Sequence, residues 1–245
     1  MTEFTNVTHD RGVLFVSTGA KHTAAAAEAA QAVAETNPSL GIAIFTDQPV
    51  SGAPFHYVAR MGEGASRRKH EFIALTPFRE TLYLDSDARV TTDLTDFFRL
   101  LEKYEMAGAH VRLREAPKRL KALSADIPRA FPQINCGVML YKRCANVDHL
   151  FAEWRRLYTE GGFTRDQTPF REALWRSDVR FYVVGPEYNK RDIPVFGFGR
   201  EPPPKILHIK SYNSRSPWVK LALAIATWPA RRRIRAANRL QSGES

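Results

Sequence analysis

Apolar residues fall in short unbroken runs separated by longer, mixed stretches. GVLFVST (12–18), IAIFTD (42–47) and TLYL (81–84) are compact runs rich in β-branched and aromatic residues, the pattern of strands buried on both faces. FHYVAR (55–60) predicts a further strand. Between these, HTAAAAEAAQAVAET (22–36) has strong helix propensity and stops at Asn37-Pro38, and RRKHEFIAL (67–75) predicts a second helix. Strand and helix alternating in this way imply an α/β layered fold with a mainly parallel central sheet, Rossmann-like in kind. In such sheets ligands bind beyond the carboxyl ends of the strands. Thr18, Asp47 and the pair Asp85/Asp87 all fall at such ends.

The second half continues in the same mode. TDLTDFFRLLEKY (92–104) reads as a capped amphipathic helix, and EMAGAH (105–110) as a strand. Residues 112–132 are basic, Pro-containing and irregular, which suits a mobile loop or an acceptor-facing insertion. INCGVMLYKR (134–143) returns to strand character, VDHLFAEWRRLYTE (147–160) is an amphipathic helix, and TRDQTPFREALWR (164–176) reads as a helix start. RFYVVG (180–185) and KILHIKSY (205–212) predict two more strands, flanking a Gly/Pro-rich stretch at 194–204. No internal repeat or linker divides the chain, so one domain over 1–217 and a basic C-terminal tail over 218–245 are expected.

Charge sharpens that division. The net charge is +10, yet residues 205–245 hold nine Lys/Arg against one acid, leaving the rest of the chain close to balance. The basic character belongs to the tail, so no nucleic acid is expected as a partner of the body. The tail segment WVKLALAIATWPARRRIRAANRL (218–240) is interrupted by Lys220 and closed by Pro229, too short and charged to span a bilayer. Trp218 and Trp228 at its edges, with Arg231, Arg232, Arg233, Arg235 and Arg239 following, suit an anchor on an anionic membrane surface. A helix packed on the body with a solvated basic end is the other reading of the same residues. Cys136 and Cys144 form no disulfide framework and the N-terminus carries no signal-peptide pattern, which favours a cytoplasmic location, peripheral at the inner face of the membrane if the tail docks.

Asp85 and Asp87 raise the chemical question. In an extended segment, residues at i and i+2 point to one side, so two like charges would stand together at the mouth of a sheet. Such a pair needs solvation, hydrogen bonds or a cation. Mg²⁺ or Mn²⁺ prefers carboxylate oxygens and uses few protein ligands when a diphosphate completes its shell. A solvated or helix-capping acid pair and an acidic nucleophile for phosphoryl transfer are other uses of the same residues.

The order TLYLDSD, INCGVMLYKR, RDQTPFREAL and KILHIKSY resembles the nucleotide-sugar glycosyltransferases of the GT-A fold, in particular the retaining group that contains glycogenin and bacterial lipooligosaccharide galactosyltransferases (glycosyltransferase family 8). The likeness runs from about residue 12 to residue 218. It implies a metal-dependent transfer of a sugar, a hexose from a UDP-sugar, to a glycan, lipid-linked or protein acceptor. By resemblance Asp85, Asp87 and His208 bind the Mn²⁺ or Mg²⁺ that bridges the donor diphosphate. Asn135 and Gly137 line the donor sugar, Asp166 and Gln167 lie beneath it at the reaction centre, and Arg68 or Lys69 reaches the donor. The chain departs from the group after His208, with Ser211 where Gly is expected and Pro217-Trp218 two residues further along, so Lys210 or Arg215 takes the part of the phosphate-binding cation.

Each of these residues also has a structural reading. Asn135 reads as a turn residue with Gly137 relieving close packing, Asp166 as a helix cap, His208 as a core histidine, and Arg67 to His70 as a solvated helix face. If the site residues serve only those ends, the chain is a non-catalytic binding or scaffold protein on a degenerate transferase fold, with a tail that docks to membrane or nucleic acid.

Overall fold

The structure is a computed structural model describing residues 4, 6–62, 69–111, 126–131, 133–163, 165–191, 203–210, 217, 218 and 232. The chain runs through β1 (Arg11–Ser17), α1 (Gly19–Thr36), β2 (Gly41–Thr46), β3 (Tyr57–Arg60), α2 (Lys69–Phe72) with a 3₁₀ turn (Ile73–Leu75), β4 (Glu80–Leu84), β5 (Ala88–Val90), and α3 (Thr95–Phe98) with a 3₁₀ turn (Arg99–Glu102). It continues through β6 (Met106–His110), β7 (Ile134–Lys142), α4 (Ala145–Glu160), α5 (Gln167–Trp175), β8 (Phe181–Val183), a 3₁₀ turn (Pro186–Asn189) and β9 (Ile206–His208). Seven strands form one sheet in the order β3-β2-β1-β4-β7-β6-β8. Only the pairings of β7 with β4 and β6 are antiparallel, so the sheet is mainly parallel as expected.

Burial explains why the strands read as continuous apolar runs. Every residue of β2 and of β4 is buried, because the sheet is covered on both faces. On one face α1 presents Ala26, Ala29, Ala30 and Val33, short side chains that let the helix lie close to Val13, Phe15, Ile42 and Ile44. On the other face Phe72, Phe151, Trp154 and Phe170 pack on Leu14, Phe45, Tyr83 and Met139. Direction then decides where polar residues collect. β1, β2 and β4 run in parallel, so Ser17, Thr46 and Leu84 end on one rim. β7 runs the opposite way and delivers its N-terminal half to the same rim, where the Asp85 N–H donates to Gly137 O at 2.8 Å.

The structure departs from expectation in several elements. α1 begins three residues earlier than its propensity suggests, at Gly19, whose φ of +75° lies in the left-handed region that favours glycine. The amphipathic stretch at 92–104 is only one turn of α-helix, and its last turn tightens to 3₁₀ geometry that keeps Phe98 and Leu101 both in the core. Asn37 terminates α1 and is itself buried. Its Oδ1 accepts from Leu94 N–H at 2.8 Å and its Nδ2 donates to Thr92 O at 3.1 Å. β5 is too short to leave a sequence pattern; of the expected KILHIKSY strand, Ile206–His208 pairs with it, antiparallel, in a separate two-stranded sheet, and residues 211 and 212 lie outside the described residues.

Much of the expected 112–132 loop lies outside the described residues, as does nearly all of the tail, of which Trp218 and Arg232 are described as exposed. No helix among the described residues is long and apolar enough to cross a membrane.

Trp154 ties the second core to the rim. It is fully buried, packs edge-on against Phe170 at 4.9 Å between ring centroids, and donates its indole N–H to Asp166 O at 3.0 Å. Trp154→Ala is expected to cost about 3–5 kcal/mol in urea denaturation, the range for emptying a large aromatic site.

Candidate active site

The two aspartates are brought together by a turn, which replaces the expected strand alternation. Asp85 follows β4, the chain reverses over 85–88, and Ala88 N–H closes the turn on Asp85 O at 2.9 Å. Leaving this turn, β5 pairs with β9 so that Ala88 stands opposite His208, and Ile209 N–H donates to Asp87 O at 3.0 Å. That pairing carries a histidine from the far end of the sequence onto the acid turn. His208 Nε2 lies 3.1 Å from Asp87 Oδ1 and 3.8 Å from Asp85 Oδ2. One ligand atom from each of Asp85, Asp87 and His208 falls within 4.8 Å of the others, the one such group of three among the described residues. His208 is buried, as a core histidine would be, but it faces carboxylates.

Gly137 makes room for this cluster. A Cβ built there would run into the His208 ring and come within 2.5 Å of Asp85 Oδ2. Asn135 is no turn residue: it lies within β7, fully buried, and its Oδ1 accepts from Gly137 N–H at 3.0 Å, holding the backbone beneath the carboxylates. Two carboxylate oxygens and an imidazole nitrogen within reach of one another, over a position left empty by a missing side chain, fit a hard divalent cation.

Lys69 connects this group to the next. Its ammonium donates to Asp85 Oδ1 at 2.9 Å and to Cys136 O at 2.9 Å, pairs with Asp166 Oδ2 at 2.8 Å, and lies over the Tyr83 ring at 5.2 Å. Burial alone would lower the Lys69 pKa, but Asp166 and Asp85 outweigh it and hold the ammonium well above the usual lysine range. Burial would likewise raise Asp166, and Lys69 reverses that to a net depression. Asp87 is also depressed against its burial, by the hydrogen bond and charge of His208. The solvated-face reading of this helix therefore fails for Lys69, and for His70, which is buried and stacked on Tyr158 at 4.0 Å between centroids. The helix-cap reading of Asp166 fails too, because its carboxylate goes to Lys69 and makes no cap bond.

The remaining residues divide. Gln167 is the half-buried first residue of α5, directly after Asp166. Thr18 and Asp47 reach the expected rim, but Asp47 Oδ1 accepts the Gly19 N–H at 2.8 Å and so serves the start of α1. Lys210 is exposed, two residues beyond His208, while Arg68 and Arg215 lie outside the described residues. Sequence reasoning missed Tyr83 and Asn189. The Tyr83 hydroxyl donates to Asp85 Oδ1 at 2.7 Å, and its position two residues before Asp85 on the same face was a usable signal. Asn189 Oδ1 accepts from His208 Nδ1–H at 2.8 Å across a separation in sequence that no local pattern bridges.

No protein-family model matches the chain, and no curated protein matches it in sequence. Solved structures do. The glycosyltransferase GlyE of Streptococcus pneumoniae TIGR4 superposes with a TM-score of 0.56 at 18% identity, covering 96% of this chain and 64% of its own. The galactosyltransferase LgtC, in complex with donor and acceptor sugar analogues, gives 0.54 at 11% identity over 89% of this chain and 95% of its own. Mouse xyloside xylosyltransferase 1 gives 0.55 at 13% identity over 84% and 100%. The chain thus spans less than two thirds of the length of GlyE, and at these identities the likeness is one of fold. The fold is GT-A.

The Asp166–Lys69 pair has a pH signature. Because the folded carboxyl is depressed, its stabilisation is present above the ordinary aspartate value of about 3.9 and is lost as pH falls through the folded value. Denaturation series between neutral and strongly acidic pH should show Asp166→Asn with a shallower acid-side loss of stability than the unaltered chain. Equal slopes would contradict the pairing.

Proposed function

We propose that this protein is a divalent-cation-dependent glycosyltransferase that moves a sugar, a hexose, from a UDP-linked donor to a hydroxyl acceptor with retention at the anomeric carbon. The reading is carried by the convergence of Asp85, Asp87 and His208 above the side-chain-free Gly137. These three residues would hold Mn²⁺ or Mg²⁺, two carboxylates supplying hard oxygen donors and the imidazole a borderline nitrogen. A cation held there would supply positive charge to offset the negative charge gathering on the departing diphosphate.

The rest of the work falls to the protein's own groups. Lys69 bonds Asp85 and Asp166 at once, so it fixes the distance between the cation site and the floor of the sugar site. Asp166 stays ionised and has an oxygen beyond the Lys69 contact with which to accept hydrogen bonds from sugar hydroxyls. Asn135 and Gly137 line the same floor from β7. An amide such as Gln167 is no proton acceptor at neutral pH, and the Asp166 carboxylate beside it is committed to Lys69 and the sugar hydroxyls, so neither serves as the base. Attack therefore comes from the face the leaving group departs from: the acceptor oxygen bonds to the anomeric carbon, the bond to the phosphate oxygen breaks, and that oxygen takes the acceptor proton. Lys210 or Arg215 would supply the cation that meets the diphosphate. The acceptor is a glycan, free or carried on lipid or protein, met by residues 112–132, and the basic segment 218–240 holds the chain at an anionic membrane surface.

UDP with Mn²⁺ should raise the melting temperature of the purified protein, and Asp87→Ala should remove that shift. Asp166→Asn or Gln167→Ala should keep the shift while slowing turnover of a UDP-sugar by about 100-fold, the scale of lost positioning and electrostatic contacts. A flat response to millimolar UDP and Mn²⁺ would overturn the proposal.

A further inference from the structure

The 3₁₀ turn Pro186–Asn189 and the residue after it form a bracket around β9. Lys205 N–H donates to Glu187 O at 2.8 Å, Lys190 N–H to Ile206 O at 2.9 Å, and His208 N–H to Lys190 O at 2.8 Å. Within that bracket Asn189 Oδ1 lies 2.8 Å from His208 Nδ1, with the two residues only 6% and 3% exposed. An amide oxygen can only accept, so the proton in this bond sits on Nδ1. In the neutral ring Nε2 then carries no proton and turns its lone pair toward Asp87 Oδ1 at 3.1 Å and Asp85 Oδ2 at 3.8 Å. A lone pair and two carboxylates converging at these distances repel one another unless positive charge lies among them.

The other half of the amide bears on the same point. Asn189 Nδ2 is buried and has no hydrogen-bond partner among the described residues, an arrangement that normally costs stability. Turning the amide over would let Nδ2 donate to the ring. It would also move the imidazole proton to Nε2, into the space between the ring and the carboxylates. With the amide as it lies, the neutral ring leaves that space free of a proton, and only protonation to the imidazolium fills it with an Nε2–H that Asp87 Oδ1 accepts.

We propose that Asn189 is a positioning residue that fixes His208 in its Nδ1–H tautomer and so presents Nε2 as a ready ligand for the divalent cation. Its amide meets the ring at Nδ1, while Nε2 faces the carboxylates, so it acts through His208. The use made of this tautomer rests on the proposed cation-dependent transfer, whereas the tautomer itself is a property of the chain with nothing bound.

Long-range ¹H–¹⁵N NMR of the metal-free protein tests it, with the His208 ring assigned by its loss in His208→Gln and recorded well above the ordinary imidazole value of about 6.5. The expected spectrum has the proton on Nδ1 and a bare Nε2. Asn189→Leu, similar in size but without the acceptor, should lose that preference and weaken Mn²⁺ binding, read by titration with electron paramagnetic resonance, by about 10- to 100-fold. Asn189→Asp, which restores an acceptor oxygen, should recover both. A proton on Nε2 in the unaltered protein overturns the proposal, as does unchanged Mn²⁺ affinity in Asn189→Leu. If the leucine variant does not fold, the spectrum of the unaltered protein and the aspartate variant decide the matter. Absence of any Mn²⁺ binding by the unaltered protein would instead strike at the proposed function, leaving the tautomer measurement to judge this inference separately.

Discussion

Two carboxylates at the tip of a buried strand must be compensated, and the rim of this sheet is organised around that constraint. Asp85 meets the Lys69 ammonium and the Tyr83 hydroxyl on one side, and Asp87 meets His208 on the other. Each compensating group comes from a different element: α2, β4 and β9. The small β5–β9 sheet, otherwise a minor appendage, exists at the place where it can deliver the imidazole. Remove any of these groups and a charge is left partly buried without its partner, which is costly in a medium of low polarity.

The same compensation divides the rim into two compartments. Toward β9 the carboxylates, the imidazole and Gly137 leave a polar space suited to a cation and the charged end of a ligand. Toward α5 the ammonium of Lys69 is held between Asp166 and Asp85, so it forms a fixed, ion-paired floor. The pairing through Lys69 keeps those two environments side by side.

Rigidity is supplied from below. The ring of Trp154 packs on Phe170 while its N–H holds the Asp166 backbone, so the position of the acid is tied to the core under α4 and α5. Further along α5, Arg171 is buried and donates to Phe131 O at 2.5 Å and Pro128 O at 2.8 Å, fastening the residues that lead into β7 to the same helix. Polar groups placed on elements locked by packing keep their geometry better than groups on free loops.

The fold was legible because burial on both faces imposes unbroken apolar runs: 12–18, 42–47, 81–84 and 134–143 each announced a central strand. Asp85 and Asp87 were legible as an acid pair at a strand end, whereas Gly137 and His208 stood out only through the order of motifs that carries the resemblance. What lay beyond the sequence was how they meet. The turn that joins the aspartates, the three-residue pairing that brings His208 to them, the reach of Lys69 to both Asp85 and Asp166, and the Asn189 bond behind the ring all depend on contacts between segments distant in sequence. Local periodicity records which face of an element is buried. It holds no record of which other element covers that face, and that choice is made only when the chain packs.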